Sequence, residues 1–129
     1  MILMVVRMIE NDNVDDHYQV HEVPLPGLTR DVPVVLNVQA VGYYRVNYDE
    51  ENWRLISETL NHNTAAIPPF NRAQIICDVF HLAKTGDITD YVREMVLSYY
   101  PKEWDFTPIL AYRQCSNEFE NTNRELWKI

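Results

Sequence analysis

Two histidines four residues apart, His17 and His21 in "HYQVH", are the first side chains here that could do chemistry. Metal-dependent hydrolases use His-Glu-x-x-His on a helix, where the imidazoles share a face and the glutamate polarises water. Here Tyr18 stands in the glutamate's place, the surroundings read as strand, and no third ligand is evident. Structural or solvated histidines are the default. Cys77 and His81 invite a nucleophile-and-base reading, but their helix faces diverge, and a cysteine on an apolar stripe is ordinarily a small filler. Asp49, Glu50 and Glu51 form a carboxylate cluster. At a helix N-terminus the dipole favours their charged form, so capping explains them better than acid–base work. Tyr99, Tyr100 and Trp104 could make a binding surface, although spaced helical aromatics are more often core. With three glycines, none in a phosphate-loop or dinucleotide pattern, no nucleotide cradle is visible. From these residues no catalytic, cofactor-binding or metal-ligating side chain is assigned.

The totals narrow the field. The chain has 129 residues, the length of one ordinary domain, and its 47% apolar content can build a core. The net charge of −8, with no basic run, argues against nucleic acid as a partner. The start, "MILMVVRMIE", is apolar but short and interrupted by Arg7, so neither a signal nor a membrane segment is read there. Asn-x-Ser/Thr does not occur, and two cysteines, Cys77 and Cys115, are too few for a disulfide scaffold and show no metal-type spacing. The compartment stays open on these grounds.

The chain changes character near Asp49. Before it, "MILMVVRMI", "YQVHEV", "VPVVLNVQ" and "GYYRVNY" read as strands, with Asn11 to Asp16 a solvated turn. The last two are close enough for a hairpin with Gly42 at its corner. Alternation puts Tyr44, Val46 and Tyr48 on one face of the fourth strand and Tyr43, Arg45 and Asn47 on the other. One set packs the sheet; the other meets helices or water.

From Asp49 the period becomes helical. Asp49 caps a first helix whose inner face carries Trp53, Ile56 and Leu60, and "NHNT" ends it. Pro68-Pro69 reads as connection. Asn71, with Gln74 three residues on, caps the second helix, and Gly86 stops it. Ala73, Ile76, Cys77, Phe80 and Ala83 form one apolar stripe and Ile75, Val79 and Leu82 another, leaving Gln74, Asp78, His81 and Thr85 as a narrow polar strip. So wide an apolar arc predicts neighbours on two sides. Thr89 caps a third helix with Tyr91, Val92, Met95, Val96 and Tyr99 as its stripe, stopped by Pro101. Thr107 caps a fourth with Pro108 in its first turn and Ile109, Tyr112 and Phe119 inward. The expected fold class is α+β: N-terminal antiparallel strands, then α-helical hairpins like the start of an α-solenoid, without a clean internal repeat.

"LNVQAVGYYRVNYDEENWRLI" and "NRAQIICDVFHLAKTGDITDY" together resemble the zinc-dependent aminopeptidase N family over roughly Leu25 to Tyr100. The first is similar to that family's junction between a small β-sandwich and a large helical C-terminal domain. The second is similar to the next helix pair, usually written with Arg-Ala-Gln and two acidic residues before an aromatic. Cys77 replaces the first acid and Asp78 keeps the second. The resemblance implies a partial β-sandwich over 1–48 and the start of the helical domain over 49–129. It implies an intact enzyme that removes N-terminal residues from peptides with one zinc, membrane-anchored or extracellular, in which this part shapes the peptide chamber. The family's His-Glu-x-x-His and Gly-x-Met-Glu-Asn occur nowhere in the chain, so no zinc ligand, base or amine anchor carries over. The expected partners are the remainder of such an enzyme, or a protein covering the helical face if the chain is a stand-alone interaction module derived from that family. A small cysteine or metal enzyme built on Cys77 or on His17 and His21 is the third reading.

Overall fold

The computed structural model describes residues 2–9, 19–25, 31–36 and 45–127, with the backbone alone described along 2–9, 19–25 and 122–127. Three strands, β1 (Ile2–Ile9), β2 (Gln19–Leu25) and β3 (Arg45–Asn47), make an antiparallel sheet in the order β2-β1-β3. Ile2 faces Leu25 across one pair, and Met8 faces Val46 across the other. The expected Asn11–Asp16 turn and the Gly42 hairpin corner lie outside the described residues, as do Tyr43 and Tyr44. Four helices follow: α1 (Glu50–His62), α2 (Pro69–Thr85), α3 (Asp90–Leu97) and α4 (Phe106–Trp127). Most of the described chain is therefore helical. The sheet is a single layer, and a sandwich is not seen among the described residues.

The expected strand "VPVVLNVQ" is not one over its described part. Residues 33–36 run without strand pairing, and Pro33 has no N–H to offer a ladder. Side chains do the pairing instead. The Val34 N–H donates to Asn52 Oδ1 at 2.8 Å, and Asn52 Nδ2 donates back to the Val34 carbonyl at 2.8 Å. The Leu36 N–H donates to the Tyr48 hydroxyl at 2.8 Å. One buried amide of α1 thus stands in for a neighbouring strand.

α1 starts where the sequence says. Asp49 accepts the Asn52 N–H at 2.7 Å, and Glu50 and Glu51 occupy the first turn, where the helix dipole favours anions. Trp53, Ile56 and Leu60 are buried, and burying a side chain of Trp53's size contributes about 3 kcal/mol. α2 starts earlier than expected. Pro69 is its first residue, because a proline there sacrifices no helical hydrogen bond. Asn71 lies inside the helix, buried, and is not its cap. Gly86 ends α2 at φ 80°, the left-handed conformation that glycine reaches without strain. Thr89 caps α3 by accepting the Val92 N–H, as expected. Tyr91, however, is 68% exposed: an eight-residue helix buries one narrow face, and Val92 and Val96 fill it. α4 is capped by Asp105 and not by Thr107. The Asp105 side chain accepts the Thr107 N–H at 3.0 Å, and its carbonyl accepts the Ile109 N–H.

The helices stack α1 on α3 and α2 on α4, with α2 also against α3 and β3, which gives its wide apolar arc the neighbours it requires. The core joins Val46 and Tyr48 to Trp53, Ile56 and Leu60, then to Ile75, Ile76, Val79, Phe80 and Leu82, Val92, Val96 and Tyr99. Val46 and Tyr48 pack into this helical core, so the buried face of β3 belongs to the helices. Replacing Asp49→Ala leaves the Asn52 N–H uncapped and is expected to cost about 1 kcal/mol. Thermal unfolding should register it as a midpoint roughly 4 °C lower.

Candidate functional site

Among the described residues a dense polar arrangement surrounds Arg72, the arginine of the Arg-Ala-Gln stretch. Its side chain is 2% exposed and that of Glu103 is 0% exposed. Arg72 grips Glu103 with two parallel bonds, Nε to Oε1 at 2.9 Å and Nη2 to Oε2 at 3.0 Å. Its Nη1 donates to the carbonyls of Ile67 at 2.6 Å and Thr64 at 3.3 Å. Glu103 also accepts the Tyr99 hydroxyl at 2.8 Å and the N–H groups of Trp104 and Asp105. The Trp104 ring lies 5.3 Å from the Arg72 guanidinium carbon. Burial alone would raise the Glu103 carboxyl, but the bonds from Arg72 and Tyr99 outweigh it and hold it below the usual carboxylate value. Burial and the bond to Glu103 push the Tyr99 phenol up.

A group so satisfied is a poor catalyst. Glu103 spends its acceptor capacity on four residues, and a carboxylate held ionised by a guanidinium neither donates a proton readily nor takes one. What the network does is join four pieces of chain: the Thr64–Ile67 turn, the first turn of α2, the end of α3 and the start of α4. Tyr99 and Trp104 are accounted for by this role, and Tyr100 stacks on Tyr112 at 3.9 Å.

A second arrangement joins the sheet to α2. Asp78, placed by its spacing on a polar strip, is buried at 5% exposure. Arg45 of β3 reaches it at 3.4 Å. Beside it, Asn47 accepts from Trp53 Nε1 at 3.0 Å and donates to the Asp87 carbonyl at 3.4 Å. The outward face of β3 is therefore engaged with helices as well. Burial pushes the Asp78 carboxyl up to about 7, against the opposing pull of Arg45 and the Val46 N–H.

Cys77 is neither a filler nor a nucleophile. It forms a disulfide with Cys115 of α4, with the Cα atoms 5.4 Å apart. Two cysteines 38 residues apart carry no spacing signal that would have announced the bond, which closes a long loop worth about 4 kcal/mol by chain entropy. The expected divergence of Cys77 and His81 is not seen: four residues apart on α2, they line one small cleft with Cys115, Arg45, Lys84, Glu118 and Phe119. No nucleophile remains there for His81 to activate.

His21 lies in β2, opposite Val6. His17 is outside the described residues. Among the described residues no three His, Cys, Asp or Glu side chains are grouped to hold a metal ion, and no helix is long and apolar enough to cross a membrane. A zinc ion therefore finds no fitting donor set among them. Asp49 caps α1, and Glu51 pairs with Arg54 on the exposed face of that helix. A larger cleft is lined by Pro33, Val35, Ile67 and Pro68, with Thr59 and Asn71 as its polar side chains among the described residues.

Four helices tied to one another through Arg72 and to the strand segment through Asn52 and Arg45 define a helical domain. The family model of the ERAP1-like C-terminal domain matches residues 33–124, and the chain belongs to that family of aminopeptidase N-like proteins. It is 43% identical over 96 residues to an aminopeptidase N of Plutella xylostella, an alignment covering 74% of this chain and 10% of that protein. It is 62% identical over 55 residues to the Homo sapiens aminopeptidase N, covering 43% of this chain and 6% of the relative. A Mus musculus thyrotropin-releasing hormone-degrading ectoenzyme is 39% identical over 72 residues, covering 56% of this chain and 7% of its own. The chain thus spans a tenth or less of the length of these relatives.

Because Asp78 binds its proton more tightly folded than unfolded, its contribution to stability is full in acid and lost as pH rises through about 7. The unfolding midpoint of the chain should therefore fall between about pH 5 and pH 7.5. In Asp78→Asn that decline should be absent, as followed by urea unfolding across the range.

Proposed function

We propose that this chain is a non-catalytic part of an aminopeptidase N-like zinc metallopeptidase whose intact form removes N-terminal residues from peptides. Residues 1–48 are the partial β-sandwich and 49–129 the start of the helical, solenoid-like C-terminal domain. Its work is to hold the angle between the two and to shape the peptide chamber. The observation that carries this reading is the cross-tied junction: Arg45 and Asn47 of the last strand reach Asp78, Trp53 and Asp87, Tyr48 packs on Trp53 while accepting the Leu36 N–H, and Asn52 reaches back to Val34. A segment whose polar side chains are used up in bonds between elements positions structure. Zinc belongs to the intact enzyme's catalytic part, as does the peptide, and the remainder of that enzyme is the partner.

A second reading is a stand-alone interaction module derived from the family. It is favoured by large aromatic side chains left in solvent, Phe70 at 61%, Trp104 at 63% and Phe106 at 73% exposed. Such surface marks an interface when it is contiguous. A monodisperse monomer with low hydrophobic-dye binding would count against it.

Incubating the purified chain with zinc and an aminoacyl reporter should give no release of the reporter above buffer. Turnover that a chelator abolishes would overturn the non-catalytic reading.

A further inference from the structure

Helix α4 differs from the other long helices in how it is held. α1 buries Asn52, Trp53, Leu55, Ile56, Ser57 and Leu60, whereas α4, over its described side chains 106–121, buries Pro108 alone. Its packing along α2 is made largely by half-buried side chains, and Tyr112 also stacks on Tyr100 at 3.9 Å. Phe119 and Tyr112 lean on Phe80 at 5.5 and 5.4 Å, and Arg93 of α3 lies 4.5 Å above the Phe119 ring. Onto this lightly buried helix the chain adds its one covalent tie, Cys115 to Cys77.

The tie sits where exchange chemistry can reach it. Both cysteines are half-buried and line a small surface cleft together with Arg45, His81 and Lys84, opposed by Glu118. The cationic side chains of Arg45 and Lys84 favour a departing thiolate, and accessibility is the other condition for thiol–disulfide exchange.

We propose that the Cys77–Cys115 bond is a redox-dependent staple: α4 is docked on α2 while the bond is intact and undocks when it is reduced. The reductant is a small thiol of the glutathione class. Its thiolate attacks one sulfur, the Cys–Cys bond breaks, and the electron pair leaves on the other sulfur, which takes up a proton. A second thiol then attacks the mixed disulfide, freeing the second cysteine and leaving the oxidised dimer of the reductant. Two electrons pass from two thiols to Cys77 and Cys115. Docked α4 therefore requires an oxidising compartment, or one where small thiols are scarce. This inference does not depend on the proposed enzymatic context.

The test is amide hydrogen exchange by mass spectrometry on the full 129-residue chain, before and after dithiothreitol. The unreduced chain should resist thiol alkylation. On reduction, peptides from 108–121 should exchange roughly tenfold faster or more, while those from α1 keep their protection. Cys115→Ser should reproduce the exchange pattern without reductant. Three results would each overturn the proposal: α4 protection unchanged by both reduction and Cys115→Ser, α1 and α4 losing protection together, or both cysteines alkylating freely before reduction.

Discussion

A guanidinium buried against a carboxylate is the interaction around which this molecule is organised. Taking both charges out of water costs several kcal/mol for each, and bidentate geometry with every remaining donor and acceptor engaged is what makes the arrangement tenable. Arg72 and Glu103 meet that condition. Arg72 spends its other nitrogen on the Ile67 carbonyl and on the Thr64 carbonyl, which also accepts the Ile67 N–H of the same turn. Glu103 spends its oxygens on Tyr99 and on the N–H groups that open α4. The pair contributes less as net attraction than as geometry: it fixes how the start of α2, the chain after α3 and the start of α4 meet.

The β-to-α passage depends on the same device in milder form. Between β3 and α1 there is no linker, since Tyr48 is core and Asp49 is already the cap. Val46 and Tyr48 enter the helical core, Arg45 and Asn47 reach Asp78 and Asp87, and Asn52 returns to Val34. The strand cannot pivot against the helices without breaking bonds on both of its faces. Rigidity of this kind is what the proposed scaffolding role requires. It also explains the crowding of aromatics and charges in the stretch around Arg45 to Trp53: Arg45, Asn47, Tyr48, Asn52 and Trp53 each serve two elements at once, while Asp49 caps α1 and Glu51 pairs within it.

Much of this was legible in the sequence, and what was not has identifiable causes. Asp49, Thr89 and Gly86 were readable because caps are local, fixed within four residues of chain. Trp53, Ile56 and Leu60 were readable from period alone. Asn71 misled because a side chain suited to capping stands three residues beyond a Pro-Pro pair that starts the helix by itself. Asp78 misled because its neighbour comes from β3, 33 residues earlier, and no helical wheel includes that strand. The Cys77–Cys115 bond and the partnership of Arg72 with Glu103 are long-range for the same reason. The Arg-Ala-Gln stretch pointed to the family, yet what its arginine does emerges only when Glu103 is brought beside it.

The decisive measurement is a double-mutant cycle on the buried pair, read by urea unfolding of Arg72→Met, Glu103→Leu and the double variant. If the pair organises the fold, each single change strands a buried charge and loses about 3–5 kcal/mol, while the double variant loses much less than the sum. Losses that add to within about 0.5 kcal/mol would contradict it, leaving Arg72 and Glu103 as independent surface-like charges with no hold on the helices around them.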